Sequence, residues 1–139
     1  MITEAKKRKV YGWGRSTFSD SSVFEVTNID EIHEIVRKVK KDAGRIACRS
    51  AGRSYGDNTL NDDEVVLNIS RMNQILHWDP NTGIITAEAG TTIEQILLHC
   101  VPSGWLFPAM PGTRFVGLAG ALSNNIHGKN CFHRGCIGE

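Results

Sequence analysis

Two short glycine-rich segments limit what this chain can fold into. They are Arg49-Ser50-Ala51-Gly52-Arg53-Ser54-Tyr55-Gly56-Asp57-Asn58 and Gly117-Leu118-Ala119-Gly120-Ala121-Leu122-Ser123-Asn124-Asn125-Ile126-His127-Gly128-Lys129-Asn130. Each joins glycines, which let the backbone turn sharply and approach a ligand, to polar side chains able to meet a phosphate or a heteroaromatic ring. The apolar segments must be arranged around two such loops.

Val23-Phe24-Glu25-Val26 reads as a short strand leading into a helix. Thr27 or Asn28 can cap that helix, with Asp30 or Glu31 three residues on, and Ile29, Ile32, Val36 and Val39 recur at helical spacing. Gly44 is expected to end it. Arg45-Ile46-Ala47-Cys48 is compatible with a buried strand that delivers the chain into the first loop, and Glu64 to Ile69 forms another strand. Ile75 to Trp78 and Ile84 to Ala87 flank Asp79-Pro80-Asn81-Thr82-Gly83, a hairpin signal. Thr91 or Thr92 caps a second helix with Ile93, Ile96, Leu97 and Cys100 on one side, and Pro102-Ser103-Gly104 breaks it. Trp105-Leu106-Phe107-Pro108 reads as one more extended segment, Pro111-Gly112-Thr113 as a turn, and Ala119 to Asn124 as a tightly packed helix. This order implies an α+β fold rather than a regular doubly wound sheet.

In the first loop, Gly52 and Gly56 allow positive φ and successive amides can form an anion-binding nest, to which Arg53, Ser54 and Asn58 add side-chain donors. A pyrophosphate suits those features. In the second, Gly117 and Gly120 offer close approach, and amides at the start of the small-residue helix can meet an anion through its positive end. His127, Lys129 and Asn130 surround a sharp bend at Gly128, placed to tune the charge of an electron-accepting ring. The alternatives are an ordinary turn at Ser54-Tyr55-Gly56-Asp57 and a solvent-facing His127. Neither segment is a Walker loop or a Gly-x-Gly-x-x-Gly turn, so ordinary ATP and NAD folds are disfavoured. Two loops of this type suggest one large, elongated, phosphorylated cofactor.

The 139 residues carry sixteen Lys and Arg against fifteen Asp and Glu, a formal charge of +1, so no general nucleic-acid binder is expected. No stretch approaches the ~20 apolar residues that span a bilayer, and no secretory signal is evident, so cytoplasmic residence is the default expectation. Lys6-Lys7-Arg8-Lys9 reads most simply as a solvated, mobile terminus, with peripheral contact to an anionic lipid surface as the alternative. Cys48, Cys100, Cys131 and Cys136 form no Cys-x-x-Cys pair, which implies reduced thiols. His127, Cys131, His133 and Cys136 lie close in sequence, but their irregular spacing does not make a metal site. The chain ends soon after the second loop, so an incomplete domain is expected, with an open sheet edge that invites self-association.

Gly52-Arg53-Ser54-Tyr55-Gly56-Asp57-Asn58, then Pro111-Gly112-Thr113-Arg114, then Ile126-His127-Gly128-Lys129-Asn130 resemble, in order and separation, the FAD-binding portion of the vanillyl-alcohol-oxidase-type flavoproteins. The resemblance implies a PCMH-type FAD-binding fold, amino-terminal portion only, over residues 16–139, behind a basic segment at 1–15. It implies that Arg49, Ser50, Ala51, Gly52, Arg53, Ser54, Tyr55, Gly56, Asp57, Asn58 and Thr59 wrap the FAD pyrophosphate. Gly112, Gly117, Leu118, Ala119 and Gly120 would line the cofactor, with His127, Gly128, Lys129 and Asn130 nearer the flavin. Where the family pattern has Thr-Val-Gly-Gly this chain has Gly117-Leu118-Ala119-Gly120, so the Ala119 methyl occupies space that a glycine leaves free. Arg53 stands where many relatives attach FAD through a histidine, which implies noncovalent FAD. The implied activity is oxidation of a sugar or polyol hydroxyl, on a substrate that could be lipid-linked. An alditol or aldonolactone oxidase is the alternative within the class, and a noncatalytic phosphate-binding interaction module the alternative outside it.

Overall fold

The computed structural model describes residues 4–129, 132 and 135–137. Asn130, Cys131 and His133, named above as candidate cofactor or metal residues, lie outside the described residues. The chain divides into two compact units, Met1–Met72 and Asn73–Glu139.

The first unit is built on a four-stranded sheet in the order β1-β2-β4-β3, formed by β1 (Lys6–Tyr11), β2 (Phe18–Glu25), β3 (Ile46–Arg49) and β4 (Val65–Asn68). β1 and β2 are antiparallel, while β4 lies parallel to both β2 and β3. The basic run is therefore no free terminus. Lys7, Arg8 and Lys9 sit opposite Ser22, Ser21 and Asp20, Arg8 is ion-paired with Glu25, and Lys9 Nζ lies 3.4 Å from Asp20. Charges on an edge strand discourage pairing with another chain, which is a physical reason for this run to be basic. Val10, Val23 and Val66 are buried together, with Ala47 and Leu60 packed against them.

Helix α1 (Ile29–Lys41) joins β2 to β3. Asn28 caps it by accepting from the Glu31 amide at 3.0 Å, and the Glu31 carboxylate accepts from the Thr27 amide at 2.7 Å. Its buried residues are Ile35 and Val39, whereas Ile29 and Val36 are exposed, so the core-facing stripe is displaced from the expected one. The helix stops before Gly44: Ala43 takes φ of 54°, and the Gly44 amide donates back to the Val39 carbonyl at 3.0 Å. After β3 the chain runs to β4 without helix or strand. Asn61 pins the end of this stretch, its Nδ2 donating to the carbonyls of Arg45 and Val65 at 3.0 and 2.9 Å. Buried Ser21 donates to the Asn61 carbonyl at 2.7 Å, so these polar groups are satisfied internally.

The second unit holds the expected hairpin, β5 (Ile75–Asp79) with β6 (Ile84–Ala87), followed by α2 (Ile93–Cys100). Asp79 organises the turn by accepting from the Asn81 amide at 2.9 Å and the Thr82 hydroxyl at 2.7 Å. The Thr82 hydroxyl first, then the Asn81 amide, hold its carboxyl below the usual aspartate range. Its help to the turn is thus present above the unfolded pKa and is lost as pH falls through the lowered value. Trp105 to Pro108 form no strand: the Trp105 indole donates to the Pro80 carbonyl at 2.8 Å and covers Gly83, where a Cβ would sit 2.5 Å from the ring. Thr92, rather than Thr91, caps α2, in a reciprocal box with Gln95. Ile93, Ile96 and Cys100 are buried against Ile75, Trp78, Ile85, Leu97, Phe107, Val116 and Leu118. No helix among the described residues is long and apolar enough to cross a membrane.

The displaced stripe on α1 separates two substitutions. Ile35→Ala, removing a side chain 1% exposed, should lower the unfolding free energy by about 2–5 kcal/mol. Ile29→Ala, at 55% exposure, should change it by no more than about 0.5 kcal/mol in the same urea titration.

Candidate functional site

The first loop leaves β3 at Arg49, whose half-buried guanidinium reaches two ways. Nη1 donates to the Thr59 hydroxyl at 3.0 Å and Nη2 to the Tyr11 carbonyl at 2.9 Å. Desolvation, and then the charge of Arg8, lower this guanidinium from its ordinary value, though an arginine keeps its proton at neutral pH. Gly52 adopts φ of +66°, as expected of a left-handed loop residue, but Gly56 does not have positive φ. At Gly56 the space where a Cβ would project holds nothing within 4 Å. Ser50 Oγ is buried without a hydrogen-bond partner among the described residues. A buried hydroxyl in that state costs free energy unless a ligand or water completes it.

Ala51, Ser54 and Thr59 are half-buried, whereas Arg53, Tyr55, Gly56, Asp57 and Asn58 are exposed. The Asp57 carbonyl accepts from the Leu60 amide at 2.7 Å, closing the far side of the loop. A cleft of about 440 Å³ borders the loop and is lined by Arg49, Gly52 and Arg53 together with Arg8, Lys9, Tyr11, Trp13 and Arg15. Its wall is cationic and aromatic, which favours anions and flat rings. The contribution of Tyr11-Gly12-Trp13-Gly14-Arg15 is absent from the sequence reading. Its mixture of glycine, aromatic and arginine matches that of the first loop, and that was the available signal.

The second loop is stitched to the start of α2. The Ile93 and Glu94 amides donate to the Val116 and Arg114 carbonyls at 3.0 and 2.8 Å, and Arg114 Nε pairs with Glu94 at 2.8 Å. α3 (Leu118–Ser123) then begins, but two of its leading amides are already spent inside the protein. Leu118 N donates to the Thr91 carbonyl at 2.7 Å and Ala119 N to the Ala89 carbonyl at 3.0 Å. Those two amides are therefore not available to an anion at this helix start. Gly117 is buried and bridged to Thr92, while Gly112 and Gly120 have nothing within 4 Å of a notional Cβ. His127 and Lys129 are exposed. Gly128 is required by packing: a Cβ there would fall 1.9 Å from the Met110 carbonyl oxygen. Among the described residues no three His, Cys, Asp or Glu side chains gather as metal ligands.

The profile of a family described as an FAD binding domain matches residues 21–139. Decaprenylphosphoryl-beta-D-ribose oxidase of Mycolicibacterium smegmatis is 33% identical over 133 residues, 95% of this chain and 29% of that protein. A putative D-arabinono-1,4-lactone oxidase of Neurospora crassa is 27% identical over 112 residues, 81% of this chain and 20% of that protein. Among solved structures, 6-hydroxy-D-nicotine oxidase from Arthrobacter nicotinovorans superposes with a TM-score of 0.78 over 96% of this chain and 32% of its own, at 18% identity. At that identity the likeness speaks for the fold. The chain spans less than a third of the length of these relatives.

The two glycines of the first loop should respond differently to the same change. Gly52→Ala forces a side chain into the left-handed region and against the Arg49 guanidinium, 2.5 Å from the new Cβ, and should cost about 1–2 kcal/mol of stability. Gly56→Ala should stay within about 0.5 kcal/mol when both are compared by chemical denaturation.

Proposed function

This chain belongs to the FAD-binding-domain family and has its PCMH-type α+β fold, and from that membership we propose that it is the FAD-holding part of an oxidoreductase acting on a sugar or polyol hydroxyl. The observation that carries the cofactor reading is the first loop itself. It presents a buried Ser50 hydroxyl without a partner among the described residues, a left-handed Gly52 and an open face at Gly56, beside a cleft lined by arginines. Those features fit a pyrophosphate, which needs several donors and no side chain in the way.

In this reading Arg49 to Thr59 hold the pyrophosphate, with Arg49 itself keeping the loop in shape through Tyr11 and Thr59. Gly112 and Gly120, with open space where a Cβ would lie, admit another part of the cofactor, and His127 and Lys129 supply charge near the flavin. When bound, FAD supplies the hydride acceptor that no amino-acid side chain can provide. The chain's own residues bind it, orient it and set its electrostatic surroundings. Arg53 in place of a linking histidine makes the attachment noncovalent.

Sugar oxidation is proposed from the names of two relatives, one an oxidase of a decaprenylphosphoryl ribose and the other of an arabinonolactone. A lipid-linked pentose and an aldonolactone are therefore the two substrate classes to compare, and residence in the cytoplasm belongs to the same proposal.

Titrating the chain with FAD and following flavin fluorescence should give saturable binding that ADP competes for. Acid precipitation should then leave all the flavin in the supernatant. Absence of saturable binding sinks the cofactor reading, and flavin that stays with the precipitate sinks the noncovalent one.

A further inference from the structure

We infer that the turn between β1 and β2, Gly12 to Thr17, is a positioning element of the first loop, with Gly12 and Trp13 holding the Ser54–Gly56 backbone in its binding shape. This rests on the reading of that loop as the cradle for the FAD phosphates. The matched family region begins only at residue 21, so the turn lies outside it.

Four contacts join the two segments. The Trp13 amide donates to the Ser54 carbonyl at 2.9 Å. The Trp13 indole stacks on the Tyr55 ring, with centroids 6.3 Å apart and planes 15° from parallel. The Arg53 guanidinium lies 5.7 Å from the centre of the same indole. Gly12 is buried so close to the loop that a Cβ would come within 2.9 Å of the Gly56 carbonyl oxygen and 3.3 Å of that of Tyr55.

The turn is itself well determined. Gly12 N donates to the Thr17 carbonyl at 3.1 Å, Arg15 N to the Gly12 carbonyl at 3.0 Å, and Arg15 takes φ of 56°. It is anchored by β1, whose six residues pair with β2. The first loop, in contrast, runs from β3 to β4 without helix or strand, so its backbone has no ladder to hold it. A rigid hairpin end packed on an irregular loop reduces the ordering that a ligand would otherwise have to impose.

Trp13 and Tyr55 are 46% and 80% exposed, so their stack adds little apolar burial for the fold. Its consequence is local, in the conformation of residues 53–56.

The test uses the unsubstituted chain, Trp13→Ala, Trp13→Phe and Gly12→Ala, each measured for amide hydrogen exchange without flavin and for FAD affinity by fluorescence titration. Trp13→Ala should speed exchange across residues 52–58 while β3 and β4 keep their protection, and should weaken FAD binding about fivefold, the effect expected of losing one aromatic pair. Trp13→Phe should restore both, and Gly12→Ala, which pushes on the Gly56 carbonyl, should impair both. Unchanged exchange in Trp13→Ala and Gly12→Ala overturns the inference whatever the flavin does. Faster exchange with unaltered FAD affinity overturns it too, leaving the contacts with a structural role only. Failure of the unsubstituted chain to bind FAD would instead remove the cofactor reading, and the positioning role with it.

Discussion

The shape of the first loop depends on the guanidinium of Arg49. It stands at the end of β3 and donates to a backbone carbonyl at the end of β1 and to a hydroxyl ten residues further along the loop. Arginine suits this place because its planar fork can address two directions at once while its charge persists under partial burial. Both acceptors are neutral, so the positive charge stays available at the mouth of the loop. The same interaction that braces the loop places a positive charge beside it.

Apart from Gly52, held at positive φ, two physical kinds of glycine stand out. Gly12, Gly83 and Gly128 are consumed by the protein, each lying against a backbone carbonyl or an indole so closely that a methyl group would collide. Gly56, Gly112 and Gly120 face open space, so packing within the described chain does not require them. The second kind is the better indicator of a ligand, because a residue with room for a side chain and none present leaves that room for something else. The two kinds are mixed within the same motifs. Gly128 and Gly120 sit eight positions apart in one loop and do opposite things.

Much of the local structure was legible. Spacing placed the α1 cap at Thr27 or Asn28, the α2 cap at Thr91 or Thr92 and a turn at Asp79 to Gly83, whereas the choice of Asn28 and Thr92 and the box with Gln95 are visible only in the fold. On α1 Val39 is buried as expected, but Ile35 rather than Ile29 or Val36 joins it, because both sets satisfy helical periodicity and only packing selects between them. The basic run is solvated as expected but is a paired strand rather than a free end, which was missed because its partner strand begins beyond a turn and includes the polar stretch Ser19 to Ser22. Trp105 looked like a strand residue, yet it serves the hairpin turn 25 residues earlier.

Composition and spacing were enough to set the α+β class, the two glycine-rich loops and the approximate helix starts, and the motif order was enough for the family, because those properties reside in neighbouring residues. Tertiary structure decided which groups are left to bind. It spends the Leu118 and Ala119 amides on the carbonyls of Thr91 and Ala89, leaves Ser50 Oγ without a partner among the described residues, and brings Gly12 and Trp13 onto Ser54 to Gly56. A donor's availability depends on what a distant segment brings to it, and strand register and packing settle that, which no short window of residues contains.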